Sequence, residues 1–133
     1  MKRVNDIRQQ APLWIVALVF IVAGINHFIN PQFYVAIMPQ YLPYHLELVY
    51  LSGFFEIAGG VGVLIPAIRR LAVWGLIALL IAVFPANLHM ALNAPAFADI
   101  APAWVLYLRL PLQLVMIIWV WWSWKIFEKT SRP

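Results

Sequence analysis

Four long apolar stretches set the first limit on this chain. They run approximately over Pro12–Ile29, His45–Ile65, Arg70–Leu92 and Trp104–Ile126. About 20 apolar residues in a helix cross a hydrocarbon core of about 30 Å. The chain has 133 residues, of which 65% are hydrophobic and 11% charged. A water-soluble domain of that length has too much surface to hide so much apolar side chain. The expected fold is therefore all-α: one integral membrane four-helix bundle spanning residues 1–133, with lipid as its main partner. MKRVNDIRQQ is basic, but the apolar segment behind it is too long for a signal peptide and lacks a small-x-small cleavage site. It reads as the first span.

The basic residues orient the bundle. Lys2, Arg3 and Arg8 precede the first span. Arg69 and Arg70 lie between the second and third. Lys125, Lys129 and Arg132 close the chain. The two remaining connections carry no Lys or Arg, so the positive-inside rule places both termini in the cytoplasm. The expected location is a bacterial-type cytoplasmic (inner) membrane. Trp14, Trp74, Trp119, Trp121, Trp122 and Trp124 would form a belt at the cytoplasmic face, and Trp104 would mark the opposite face. The connection Asn30–Tyr44, with Pro31, Pro39 and Pro43, reads as a partly buried loop or a short interfacial helix. HFINPQF and HMALNAPAF end the first and third spans alike, which hints at a two-plus-two repeat.

Composition also excludes functions. The chain has no cysteine, which removes disulfides, thiol catalysis and Cys-ligated metal centres. The basic residues sit at helix ends and form no patch interleaved with aromatics, so nucleic acid is not a partner. His27 and His89 lack the local spacing that would build a metal site with Glu56, and no metal is expected. Scattered methionines read as packing. GGVGVLIP lies within a span with no strand before it, so it is no phosphate loop.

Arg109 alone breaks the positive-inside pattern, and Glu56 sits mid-span in SGFFEIAGG. A charge at the centre of a span costs about 2.5–3.5 kcal/mol on insertion scales, so each needs a reason to be kept. At about 1.5 Å per residue, Asn26, His27, Ser52, Glu56, Asn87, His89, Arg109 and Gln113 all fall in the outer half of the bundle. The inner half is apolar. The expectation is a polar pocket open to the extracytoplasmic side. Gly53, Gly59 and Gly60 share a helical stripe with Glu56 and turn it inward. Opposite sign and similar depth suggest a Glu56–Arg109 pair, supported by Gln113 and Asn87. Such a pair serves either a ligand or helix register alone. Pro85 and Pro111 would bend their helices and widen the pocket.

The motifs GINHF…PQF, IMPQYLP, SGFFEIAGG, PAN and RLPLQ, taken in order, resemble the DoxX-like family of small four-helix membrane proteins. The resemblance runs from about Leu13 to Trp122. It implies a subunit working beside a membrane or extracytoplasmic redox partner, with a quinone-like or small oxygen-rich ligand. Glu56 would then handle a proton and Arg109 a ligand oxygen, with Asn26, His27, Ser52, Asn87, His89 and Gln113 lining the pocket. The similar vitamin K epoxide reductases work through cysteines, which this chain lacks. Two other readings stand beside this one. A small-solute transporter or binding protein would need a homo-oligomer, because four helices are few for alternating access. A structural scaffold would need no pocket.

Overall fold

A computed structural model describes residues 2–131, with side chains for Arg8 and for residues 10–130. Arg132 lies outside the described residues, as do the side chains of Lys2 and Arg3. The described chain is all helical: α1 Lys2–Ile29, α2 Pro31–Ile37, α3 His45–Gly62, α4 Arg69–Leu92, a 3-10 turn at Ala94–Phe97, and α5 Ala103–Ser131. Within these, Gln10–Ile29, Arg69–Leu92 and Ala103–Thr130 are long and apolar enough to cross a membrane. α3, 18 residues long, carries Glu47 and Glu56 among its apolar residues.

The element boundaries follow local chemistry. α1 begins well before Pro12, because Lys, Arg, Gln and Ala favour helix and the lost Pro12 N–H removes one bond only. α3 stops at Gly62, short of the expected Ile65. Three glycines in its last turn weaken it, and Pro66 disfavours a helical residue before it. α2 is the short helix expected in the proline-rich connection, started by Pro31 at its first position. α5 runs past Ile126 into a polar end, where Lys125 and Glu128 pair at 3.2 Å. The two echoing motifs do end alike. Asn30 and Asn93 each leave a long helix and open a short one that has a proline in its first turn.

α1 packs on α3, α3 on α4, α4 on α5 and α5 back on α1, closing a ring. One core fills the end of the ring near Arg69. It unites Leu13, Val16 and Phe20 of α1 with Val73, Leu76 and Leu80 of α4 and Val120 and Trp124 of α5. A smaller cluster of Ile37, Met90, Ala94, Phe97 and Leu106 fills the other end. Much of the outer surface is apolar, with Leu18, Val22, Ile81, Leu114 and Ile118 all exposed. Such a surface suits lipid and would be a liability in water.

Two devices hold the ring. The first is the close crossing of α1 and α3. A Cβ added to Gly24 would lie 2.6 Å from the Gly53 carbonyl oxygen, and one added to Gly53 would lie 2.7 Å from His27 Cβ and 2.9 Å from the Gly24 carbonyl oxygen. Backbone cannot yield there, so glycine is required for the approach. The second is Arg69. Its Nε donates to the Val63 carbonyl at 2.6 Å and its Nη2 to the Leu64 carbonyl at 3.3 Å, just past the end of α3. Its guanidinium lies 4.2 Å from the Phe127 ring centre of α5. A residue expected only to orient the chain thus ties three helices together.

Gly53→Ala is expected to lower unfolding stability by about 1–3 kcal/mol, the usual range for overpacking. Equal midpoints for variant and parent in denaturant titration of the detergent-solubilised protein would refute the tight crossing. Arg69→Ala should cost about 1.5–3 kcal/mol, as for hydrogen bonds from a charged group. Arg69→Lys should recover only part of that, because a lysine cannot hold both carbonyls and stack on Phe127.

Candidate functional site

The crossing of α1 over α3 decides where His27 lies. Val49, Gly53 and Glu56 follow one another along one stripe of α3. Gly53 has no side chain, so the His27 ring lies over it and reaches both neighbours. Its Nδ1 is 3.0 Å from the Val49 carbonyl oxygen, and its Nε2 is 3.1 Å from Glu56 Oε2. A carbonyl only accepts, so Nδ1 carries a hydrogen. An imidazolium beside a carboxylate and a neutral imidazole beside a carboxylic acid both leave the pair without net charge, and either avoids an unpaired charge buried among apolar side chains. The contact has the distance of an ion pair without the alignment of a hydrogen bond, and Oε2 is buried with no aligned partner.

Tyr34 of α2 covers the outer side of this pair. Its ring stacks on His27 with centres 3.9 Å apart and planes 24° apart. Asn26 Nδ2 donates to the Tyr34 hydroxyl at 2.7 Å, and Asn30 Nδ2 donates to Asn26 Oδ1 at 2.8 Å. The end of α1 thus positions α2 over the imidazole. Tyr34 was not among the residues the sequence singled out. A usable signal was present in PQFYVAI, where a proline opens a short helix within reach of Asn26.

The pair faces a cavity of about 490 Å³. His27, Ser52, Glu56, Asn87 and Arg109 line it, with Tyr34, Met38 and Tyr41 from the α2 connection and Ala82, Val83, Pro85 and Ala86 from α4. Ligand pockets generally span about 300–1,000 Å³ and are mostly apolar with a few polar groups, as here. Five of the eight expected site residues therefore share one cavity. The other three stand behind its wall. Asn26 holds Tyr34. Gln113 accepts from Asn87 Nδ2 at 2.6 Å through Oε1, and its Nε2 donates to the Leu80 carbonyl. That carbonyl lies one residue before the Ile81 carbonyl that Pro85 leaves without its helical donor. His89 packs edge-on against Tyr41 and Phe97 and contacts Asn93, away from the cavity.

The expected Glu56–Arg109 pair does not form. α3 and α5 are diagonal in the ring, so the carboxylate and the guanidinium face each other across the cavity. The neighbouring helix α1 supplies Glu56 with His27 instead. Among the described residues the ion pairs are His27–Glu56 and Lys125–Glu128. Arg109 is half-buried, and its polar contact is Nη1 to Met90 Sδ at 4.0 Å. A thioether is a weak acceptor, so the guanidinium keeps most of its donors for something else. No three His, Asp or Glu among the described residues converge in a way that could hold a metal ion.

The fold and site define an all-helical protein with an apolar exterior, three helices long and apolar enough to cross a membrane, and a cavity with a few convergent polar groups. Residues 16–124 match the family described as Domain of unknown function (DUF8561), and the chain belongs to that family. No curated protein and no solved structure matches it.

The pairing across α1 and α3 is testable by a double-mutant cycle. His27→Ala and Glu56→Gln should each destabilise by about 1–3 kcal/mol, because each leaves a buried polar partner unmet. Together they should cost less than the sum by about 0.5–3 kcal/mol. Strict additivity would show that the two side chains do not interact.

Proposed function

We propose that this chain is a transmembrane four-helix bundle, both termini cytoplasmic, that binds a small oxygen-rich ligand in the His27–Glu56–Arg109 cavity. The observation that carries the reading is the imbalance of that cavity. One wall presents the His27–Glu56 pair, which carries no net charge. The opposite wall presents a guanidinium with no carboxylate partner. Between them is space rather than side chain. A ligand oxygen can accept from Arg109, whose planar donors suit such an acceptor. On the other side the same ligand meets Glu56, placed within reach to exchange a proton as a general acid or base.

The order of motifs resembling DoxX-like proteins favours a place beside a redox enzyme, with a quinone-like ring as one oxygen-rich ligand that fits. Without cysteine, electrons would come from that partner and not from thiol chemistry in this chain. The orientation rests on Arg69, Arg70, Lys125 and Lys129, which gather at one end of the ring, while the other connections carry no Lys or Arg.

The test is mass spectrometry of small molecules co-purifying with the protein in mild detergent, beside Glu56→Gln and Arg109→Ala. A molecule present with the parent and lost in both folded variants is the expected result. If the parent carries nothing above the lipid background, and both variants differ from it only in thermal stability, the cavity residues are structural and the proposal fails.

A further inference from the structure

The walls of the cavity are not equally closed. Ala82 and Pro85 of α4 line it and are also exposed on the outside of the ring. They lie seven to ten residues before Leu92, the end of α4, or about 10–15 Å below it at 1.5 Å per residue. In the transmembrane placement proposed above, an opening at that depth faces hydrocarbon and not water. Further down, α3 and α4 touch closely where Gly59 meets Leu76 and Gly62 meets Ala72.

A groove on the outer face of α3 and α4 adjoins this opening. This second cavity, about 580 Å³, is lined wholly by apolar and small residues, among them Phe55, Ala58, Gly75 and Ala78. Leu79 and Ala82 line both cavities, which therefore lie side by side there. A Cβ built on Gly75 would meet nothing within 4 Å, so the groove there is open space. From Ala82 to Ile68 it follows α4 for about 21 Å. That exceeds the length of one lipid chain, which occupies about half of a ~30 Å core.

We infer that the ligand is a single-chain lipid carboxylate, with its head on Arg109 and its chain leaving between α3 and α4 into the Gly75 groove. This rests on the ligand reading above and names its chemical class. The cavity's charge selects the head. His27 and Glu56 contribute no net charge as a pair, and Arg109 contributes one positive charge without a carboxylate to meet it. A carboxylate supplies that charge and matches the guanidinium in two parallel hydrogen bonds. The adjoining apolar groove selects the tail, since a free small acid would leave it without a role.

The test uses the full chain in nanodiscs of zwitterionic lipid, with empty nanodiscs as the blank and tritiated palmitate as the probe. Saturable binding is expected, displaced by unlabelled palmitate and at least tenfold less well by methyl palmitate or butyrate. Arg109→Gln should weaken palmitate binding at least tenfold. Gly75→Leu with Ala78→Leu fills the groove from exposed positions and should do the same, with the thermal midpoint unchanged. Methyl palmitate competing as well as palmitate would overturn the charged head. Lysophosphatidate competing better than palmitate would overturn the carboxylate. Butyrate competing equally, or a filled groove that still binds palmitate like the parent, would overturn the chain while leaving the polar cavity a ligand site. No saturable binding of palmitate to the parent overturns the inference. The co-purification experiment then judges the cavity reading separately.

Discussion

The contact between Gly24 and Gly53 is the constraint on which the site depends. Two helices that carried side chains there would stand further apart. His27 could then not lie along α3 between the Val49 carbonyl and Glu56. The same glycine that lets the backbones approach also clears the surface on which the imidazole rests. A mid-helix carboxylate, costly by itself, thereby gains a partner from the neighbouring helix. The partner is anchored at its other nitrogen by a backbone carbonyl, and Tyr34 closes over it.

Much of this was legible in the sequence and some of it was not. The all-helical fold, three of the long apolar helices, the apolar end of the ring and the inward turn of Glu56 follow from apolar length and from the glycine stripe around Gly53, Gly59 and Gly60. The partner of Glu56 does not follow. Opposite charge and similar depth pointed to Arg109, but depth carries no information about which helices are neighbours. Ring order decides that, and it puts α5 diagonal to α3. His27 lies two residues from the end of α1 while Glu56 lies in the middle of α3, yet an imidazole lying lengthwise on α3 spans the difference. Tyr34 was hidden by a connection too short and proline-rich to show a periodicity.

Arg69 shows a second limit of reading charge by position. A basic pair in a tight turn is well explained by membrane orientation. That explanation says nothing about the Val63 and Leu64 carbonyls left exposed where glycines and Pro66 end α3 early. Arg69 and Arg70 look equivalent in the sequence. In the structure Arg69 is buried and Arg70 exposed, and Arg69 carries the capping and the stacking on Phe127.

The packed cluster of Leu13, Val16, Phe20, Leu76, Leu80 and Val120 has an electrical consequence. Between the cavity and the end of the ring near Arg69 the packed side chains are apolar, apart from the buried Ser123. The cluster floors the cavity on that side. In the proposed transmembrane placement, a charge reaching the His27–Glu56 pair from the cavity would therefore cross only part of the membrane field.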